Sequence, residues 1–476
     1  KPVQFNFIDF STLALRAHYC EEEVRCNRSF SPELYVGVVT INQDEEGCYR
    51  VAGPGRVVES AVRMRQFPGA QQLDNLLAAD ALQAPAMRRF GLDLADQHAK
   101  LPCLQGDDEV DTRVRKPVLD NFRTLGPLWA SRAHETLLKR LEADSRSAFQ
   151  RLRPRFVRRL QDGFTRECHG DLHLSNLVVL DERVRAFDCL EFNANLRWID
   201  TASDVAFLLM DCAVRGHQDL GYAFLDGYLT RSADYEGAVL AAFFQVYRSM
   251  VRAKVAALQL EELTESPDES TDQQLMERLA LHLRWADERL HRKPGKLLLM
   301  CGLSGSGKSY LAERLVPQFP AVRVRSDVLR KARGGIDSHA RSNSPVDGGL
   351  YSRHQTQSVY AEMLRVTEAL IGAGENVLVD ATFLDRGWRS EFRAAARLLG
   401  SGCVIVHCEA PQLVLEDRIR DRAREPENVS EAGLEVLQSQ LTRFDAITPE
   451  EPRVVVDTQA PLEMAQLESR IREVLT

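Results

Sequence analysis

LLLMCGLSGSGKSYLAERL, residues 297–315, decides how this chain is read. The apolar run Leu297 to Cys301 makes a buried-type strand, a glycine-rich turn follows, and an amphipathic helix comes after it. Gly302 and Gly307 bracket Leu303, Ser304, Gly305 and Ser306, and Lys308 and Ser309 come next, which is the spacing of a phosphate-binding loop. Glycines let backbone N–H groups converge on a β-phosphate, and the helix that starts there adds its positive end. Lys308 is placed to reach the β and γ oxygens, and the Ser309 hydroxyl to ligate magnesium. ATP and Mg2+ are the cofactors this turn predicts.

Downstream residues separate a kinase from a motor-type ATPase. Val322 to Arg325 reads as a second strand that ends at Ser326-Asp327-Val328-Leu329-Arg330. Asp327, at the tip of a strand beside the loop, can accept a proton from a hydroxyl lined up with the γ-phosphate. Arg330, one helical turn on, can hold the acceptor. The strand Asn376 to Val379 delivers Asp380 near the metal, and Arg418 and Arg422 share a helix face from which they can close over the phosphates. Glu416, Asp417, Asp421 and Glu425 offer these arginines ordinary surface partners instead.

Through GLSGSGKS, SDVLR, VLVDATF and the Arg418/Arg422 helix, the C-terminal part resembles the AAA-type P-loop kinases that include gluconate kinases, zeta-type toxins and polynucleotide 5'-hydroxyl kinases. The resemblance implies a P-loop NTPase α/β/α domain with a parallel sheet over 293–476. It implies ATP-dependent phosphorylation of a hydroxyl, with Asp327 as base and Arg330 as acceptor-binding arginine.

A second constellation lies upstream. HGDLHLSN, residues 169–176, sets His169, Asp171 and Asn176 at the spacing of a kinase catalytic loop. Asp171 can orient and deprotonate a hydroxyl, Asn176 can turn back to magnesium, and a strand over Val184 to Phe187 delivers Asp188 as a second metal carboxylate. This half resembles the aminoglycoside phosphotransferases, which have a protein-kinase-like α+β fold. By that resemblance Asp204 braces the catalytic loop, Glu23 (with Glu22 as competitor) pairs with the ATP lysine, and Val62 to Phe67, with Met64, forms the hinge beside adenine. The glycine-rich loop is absent and the lysine is either Lys1 or upstream, so the N-lobe is expected to be incomplete. The resulting division is 1–292, with a partial N-lobe over 1–66 and a helical C-lobe over 67–292, followed by 293–476. The whole looks like a bacterial two-domain arrangement.

Around these sites the first sixty-odd residues read as a small α+β lobe, with a helix near Leu13 to Arg28 and strands over Tyr35 to Ile41 and Val57 to Met64. Residues 71–160 read as helices, Arg113 to Arg159 as a solvated basic face, and Glu261 to Asp272 as an exposed loop. A formal charge of −8 argues against a surface built wholly for nucleic acid. No apolar run is long enough to cross a bilayer. Ten cysteines without a CxxC pair read as reduced thiols of a cytoplasmic protein. Three functions stay open: two kinase sites acting on a small-molecule hydroxyl acceptor, a polynucleotide kinase guided by the basic stretch, and a P-loop kinase with an N-terminal pseudokinase module. The acceptor and the oligomeric state are not readable from the chain.

Overall fold

The computed structural model describes residues 4–5, 8–104, 109–128, 132–263, 269–335, 352–422 and 433–475. They divide into two compact units. One gathers residues 1–86, 96–217 and 240–290, the other 87–95, 218–239 and 291–476.

In the first unit the helix α1 (Leu13–Asn27) starts at Thr12, whose hydroxyl accepts the Leu15 N–H. The strands β1 (Tyr35–Gln43), β2 (Tyr49–Val51) and β3 (Arg56–Met64) form an antiparallel sheet in the order β2-β1-β3. Val24, Leu34, Tyr35, Val178 and Leu180 make its core, with Met64 packed against them. The strands β4 (Thr165–Glu167) and β7 (Trp198–Asp200) pair antiparallel, as do β5 (Leu177–Leu180) and β6 (Arg183–Ala186). The β5–β6 turn places Asp181 and Glu182 at φ of 47° and 61°, the left-handed conformation that a two-residue hairpin needs to match strand twist. Asp200 caps the helix α3 (Thr201–Val214), accepting the Ala202 N–H. The helix α2 (Ala84–Lys100) contributes residues to both units.

The basic stretch is largely solvent-facing, as expected, with Arg159 the exception among the described residues. Arg159 is buried and pairs with Asp200 at 2.7 Å, because its helix packs this position inward. Further along the same stretch, Arg115 and Arg153 pair with Asp111, Arg140 with Asp287 and Arg146 with Glu142. The expected loop over Glu261 to Asp272 is also shorter than read, since helices run to Leu263 and from Glu269. Residues 264–268 between them lie outside the described residues.

The second unit is a five-stranded parallel sheet. Its strands are β8 (Leu297–Cys301), β9 (Val322–Arg325), β10 (Val377–Asp380), β11 (Cys403–Glu409) and β12 (Arg453–Asp457). They run in the order β9-β10-β8-β11-β12. Every residue of β8 is buried, because a central parallel strand is covered on both faces. Leu298, Met300, Leu311, Leu315, Leu378, Val404, Val406 and Ile471 share one core cluster. The strand order reverses at β8, so the crevice at its carboxyl end is the ligand position this topology creates. The helices α4 (Gln218–Ser232) and residues 87–95 of α2 belong to this unit although they precede it in the chain.

Each of the ten cysteines is a free thiol, and among the described residues no helix is long and apolar enough to cross a membrane. Leu298 is fully buried at the centre of the sheet. Leu298→Ala is expected to lower the stability of this unit by about 2–5 kcal/mol, read as an earlier urea transition in the P-loop unit.

Candidate active sites

The glycine-rich turn leaves β8 and enters the helix α6 (Lys308–Gln318), with Gly307 as its N-cap in the left-handed conformation. Gly302 has φ of 141°, and a Cβ there would lie 2.5 Å from the Cys408 carbonyl oxygen, so only glycine fits this bend. Lys308 folds back over the loop and donates to the Leu303 carbonyl at 2.8 Å. The Ser309 hydroxyl donates to Asp380 Oδ1 at 3.2 Å. A hydroxyl and a carboxylate side by side are hard oxygen donors, a set that fits magnesium. Burial pushes the Asp380 carboxyl up, but the Arg323 and Arg325 guanidiniums outweigh that and hold it below its usual range.

Asp327 lies half-buried in the first turn of the helix α7 (Ser326–Arg333), directly after β9. Arg330, one turn on, donates to the Thr356 hydroxyl at 3.3 Å. Arg418, on the helix α10 (Gln412–Arg422), donates to the Thr458 hydroxyl and carbonyl, both at 2.8 Å, and to the Gly305 carbonyl at 3.3 Å. It therefore touches the loop itself. Glu416 and Asp417 pair with Arg420 instead of with Arg418. The side chain of Arg422, and Glu425, lie outside the described residues. Beside the loop a cavity of about 450 Å³ is lined by Gly302, Leu303, Ser306, His407, Phe444 and Gln459.

Two residues at this site were not singled out from the sequence. Gln440, on the helix Leu434–Arg443, accepts the Ser304 N–H through Oε1 at 2.7 Å. Nothing in its sequence surroundings marks it. Arg323 donates to Asp380 Oδ2 at 2.6 Å and to the Ser309 carbonyl at 2.9 Å. Its signal is an arginine in the middle of a short strand whose residues are all buried, a position that an unpaired charge cannot hold.

The first unit brings its own constellation together. Asp204, buried in α3, accepts the backbone N–H groups of His169 at 3.0 Å and Gly170 at 2.9 Å, and its Oδ2 lies 3.3 Å from His98 Nε2. His169 Nε2 donates to the Phe187 carbonyl at 2.9 Å, while its Nδ1 accepts the Asp171 N–H. Arg248 donates to the Gly170 carbonyl at 2.8 Å. The loop that carries Asp171 is thus held on several sides. Asn176 Nδ2 donates to Asp171 Oδ2 at 3.1 Å. Burial pushes the Asp171 carboxyl up, but His173, hydrogen-bonded to it, together with His169 and Arg252 holds it at about 2, so it is ionised at neutral pH. Asp188 sits at φ of 61°, an uncommon conformation for a residue with a side chain, and its N–H donates to the Tyr35 hydroxyl at 2.9 Å. Burial raises its carboxyl above the usual range.

The structure separates Glu23 from its competitor. Glu22 is engaged by Arg25 and Arg197. Glu23 is instead pushed up to about 7 by burial and by the carboxyls of Glu191 and Asp188. Met64 ends β3 with its side chain in the sheet's core. Lys1 lies outside the described residues.

Residues 297–447 match the family model described as an AAA domain. Over 426 residues the chain is 29% identical to an uncharacterized protein of Mycobacterium tuberculosis strain H37Rv, an alignment spanning 89% of this chain and 82% of the relative. It is also 29% identical over 151 residues to a guanylate kinase of Oleidesulfovibrio alaskensis, covering 29% of this chain and 68% of that enzyme. A solved sugar kinase from Janibacter sp. shares 20% identity at a TM-score of 0.30, covering 38% of this chain and 95% of that one. Over the matched residues the second unit thus carries an AAA-type domain with the glycine-rich turn at its strand-to-helix junction.

Glu23 gives a pH prediction. Its folded pKa of about 7 lies above the ordinary 4.5, so the folded chain holds a proton that the unfolded chain has released, and stability falls as pH rises through that window. Glu23→Gln is expected to raise the melting temperature at about pH 8 and to leave it unchanged near pH 4.5, as followed by thermal melts across the range.

Proposed function

We propose that this protein is an ATP-dependent phosphotransferase whose P-loop unit moves the γ-phosphate of ATP to a hydroxyl of a small molecule, a sugar or nucleoside derivative. The observation that carries this reading is the contact of Ser309 with Asp380 beneath the loop, on a sheet whose strand β9, next to β10, leads into the helix that carries Asp327. Ser309 and Asp380 would hold magnesium, which would supply neutralisation of phosphate charge. Lys308 exchanges its carbonyl partner for phosphate oxygens. Asp327 accepts the proton of the attacking hydroxyl, and Arg330 orients the acceptor. Arg418, already against the loop, stabilises charge on the transferring group.

The first unit carries, in this reading, a second kinase-type site of aminoglycoside phosphotransferase type. Asp171 orients the acceptor hydroxyl, and Asn176 and Asp188 would hold magnesium. The reading is supported by a catalytic loop anchored through Asp204 and by an ionised Asp171 within reach of Asn176. A carboxyl with so low a pKa is a weak base, so its part is mainly to align the hydroxyl as the bond to phosphorus forms. The carboxylate partners of the basic stretch reduce its field for a nucleic acid strand and favour a small acceptor.

The test is a metabolite-pool screen with labelled ATP on the full chain. Lys308→Ala is expected to abolish labelling at the P-loop site, and Asp327→Asn to lower its kcat by about 10²-fold or more with little change in ATP binding. Asp171→Ala is expected to remove a separate set of labelled products. A wild-type protein, folded in both units, that labels no acceptor overturns the proposal. Turnover that Asp171→Ala leaves wholly unchanged removes the second site and keeps the first.

A further inference from the structure

Strand β9 places Arg323 under the phosphate loop with only 1% of its side chain exposed. Two buried carboxylates meet it there, and the more exposed Glu313 lies 3.9 Å from Nη1. Asp380 Oδ2 lies 2.6 Å from Nη2 and 3.2 Å from Nε. On the other side Asp226 Oδ1, from α4, lies 3.6 Å from Nη1. Neither Nη1 nor Asp226 Oδ1 has a hydrogen-bond partner among the described residues, so the two face each other across a gap slightly too long for a bond. Asp226 Oδ2 is engaged by Arg88 Nε at 2.8 Å, and Arg88 Nη2 reaches Glu313 of α6 at 3.0 Å.

The position of Asp226 is fixed by the crossing of two helices. A Cβ on Gly227 would lie 1.9 Å from the Arg88 carbonyl oxygen, so α4 and the 87–95 part of α2 approach backbone to backbone at this point. Phe90 stacks on Phe224 beside it, with ring centroids 5.6 Å apart. Nearby, the Tyr235 hydroxyl accepts the Arg325 N–H at 3.0 Å. A carboxylate carried by residues far upstream of the P-loop is thereby built into the charge balance beneath it.

We propose that Asp226 is a positioning residue of the P-loop site: by sharing Arg323 with Asp380 it limits how far that guanidinium neutralises Asp380, and so sets the affinity of Ser309 and Asp380 for magnesium. The inference rests on the P-loop reading above. The physical basis is that one guanidinium serves two buried carboxylates. Charge withdrawn from one side is given to the other, and in a water-poor interior such coupling is weakly screened. Asp226 and Arg88 touch no nucleotide position themselves and act only through Arg323.

The test measures magnesium-dependent binding of a fluorescent ATP analogue, N-methylanthraniloyl-ATP, to the full chain, with Lys308→Ala as the blank. Asp226→Asn keeps the shape and removes the charge. Arg323 then leans more fully on Asp380, with only the exposed Glu313 as competitor, and the magnesium concentration for half-maximal binding is expected to rise by about tenfold. Asp226→Glu should recover most of the loss. Arg88→Gln, at a partly exposed position, has the opposite sign, because Asp226 then pulls on Arg323 alone and the half-point falls. If Asp226→Asn does not fold, the direction of the Arg88→Gln shift decides the matter. Half-points for both variants at the wild-type value overturn this inference and leave the P-loop reading intact, as does an equal loss of binding with and without magnesium. A wild-type chain that binds no analogue at all overturns both.

Discussion

Charge beneath the phosphate loop is the constraint on which the second unit depends. In the proposed reading, the turn between β8 and α6 collects backbone N–H groups and an ammonium group to attract a polyanion, and Asp380 stays an anion close by for a divalent ion. An acid buried this deeply is costly unless it is paired. Arg323 supplies the pair, with Arg325 farther off at 3.8 Å. Too strong a pairing would leave little negative charge for the metal. A second carboxylate against the same guanidinium is a direct physical means of adjusting that balance, and it accounts for an arginine in the midst of a fully buried strand.

The first unit meets a similar demand differently. The loop that carries Asp171 is anchored from below by one buried acid, Asp204, whose two oxygens take consecutive backbone N–H groups. Asp171 is kept ionised by His173 and its neighbours, whereas burial raises both Asp188 and Glu23, with Asp171 adding to the first and Glu191 and Asp188 to the second. Carboxyls gathered closely enough to raise one another are a donor set that a cation would suit. The left-handed backbone at Asp188 is consistent with that reading, since strain of this kind persists where the surroundings enforce it.

The local motifs were legible because their physics is local. A buried run, a glycine bend and a helix N-terminus lie within nineteen consecutive residues, 297–315, and each part can be read from its neighbours. The same holds for the compact run HGDLHLSN, residues 169–176. The basic stretch from Arg113 to Arg159 was less readable. Whether an arginine meets water or a carboxylate depends on which helix face turns inward, and Arg159 turned inward onto Asp200.

By itself, then, the chain determined the glycine-rich turn, the helix that follows it and the parallel strand that leads into it, since neighbouring residues suffice to form them. Tertiary structure alone decided which charges meet. Asp380 lies 57 residues from Arg323, Gln440 is 136 residues from Ser304, and Asp226 comes from a helix well before the P-loop strand. No spacing rule connects such positions, because their distances are set by sheet order and by helices crossing at a glycine, and both arise only when the whole core has packed.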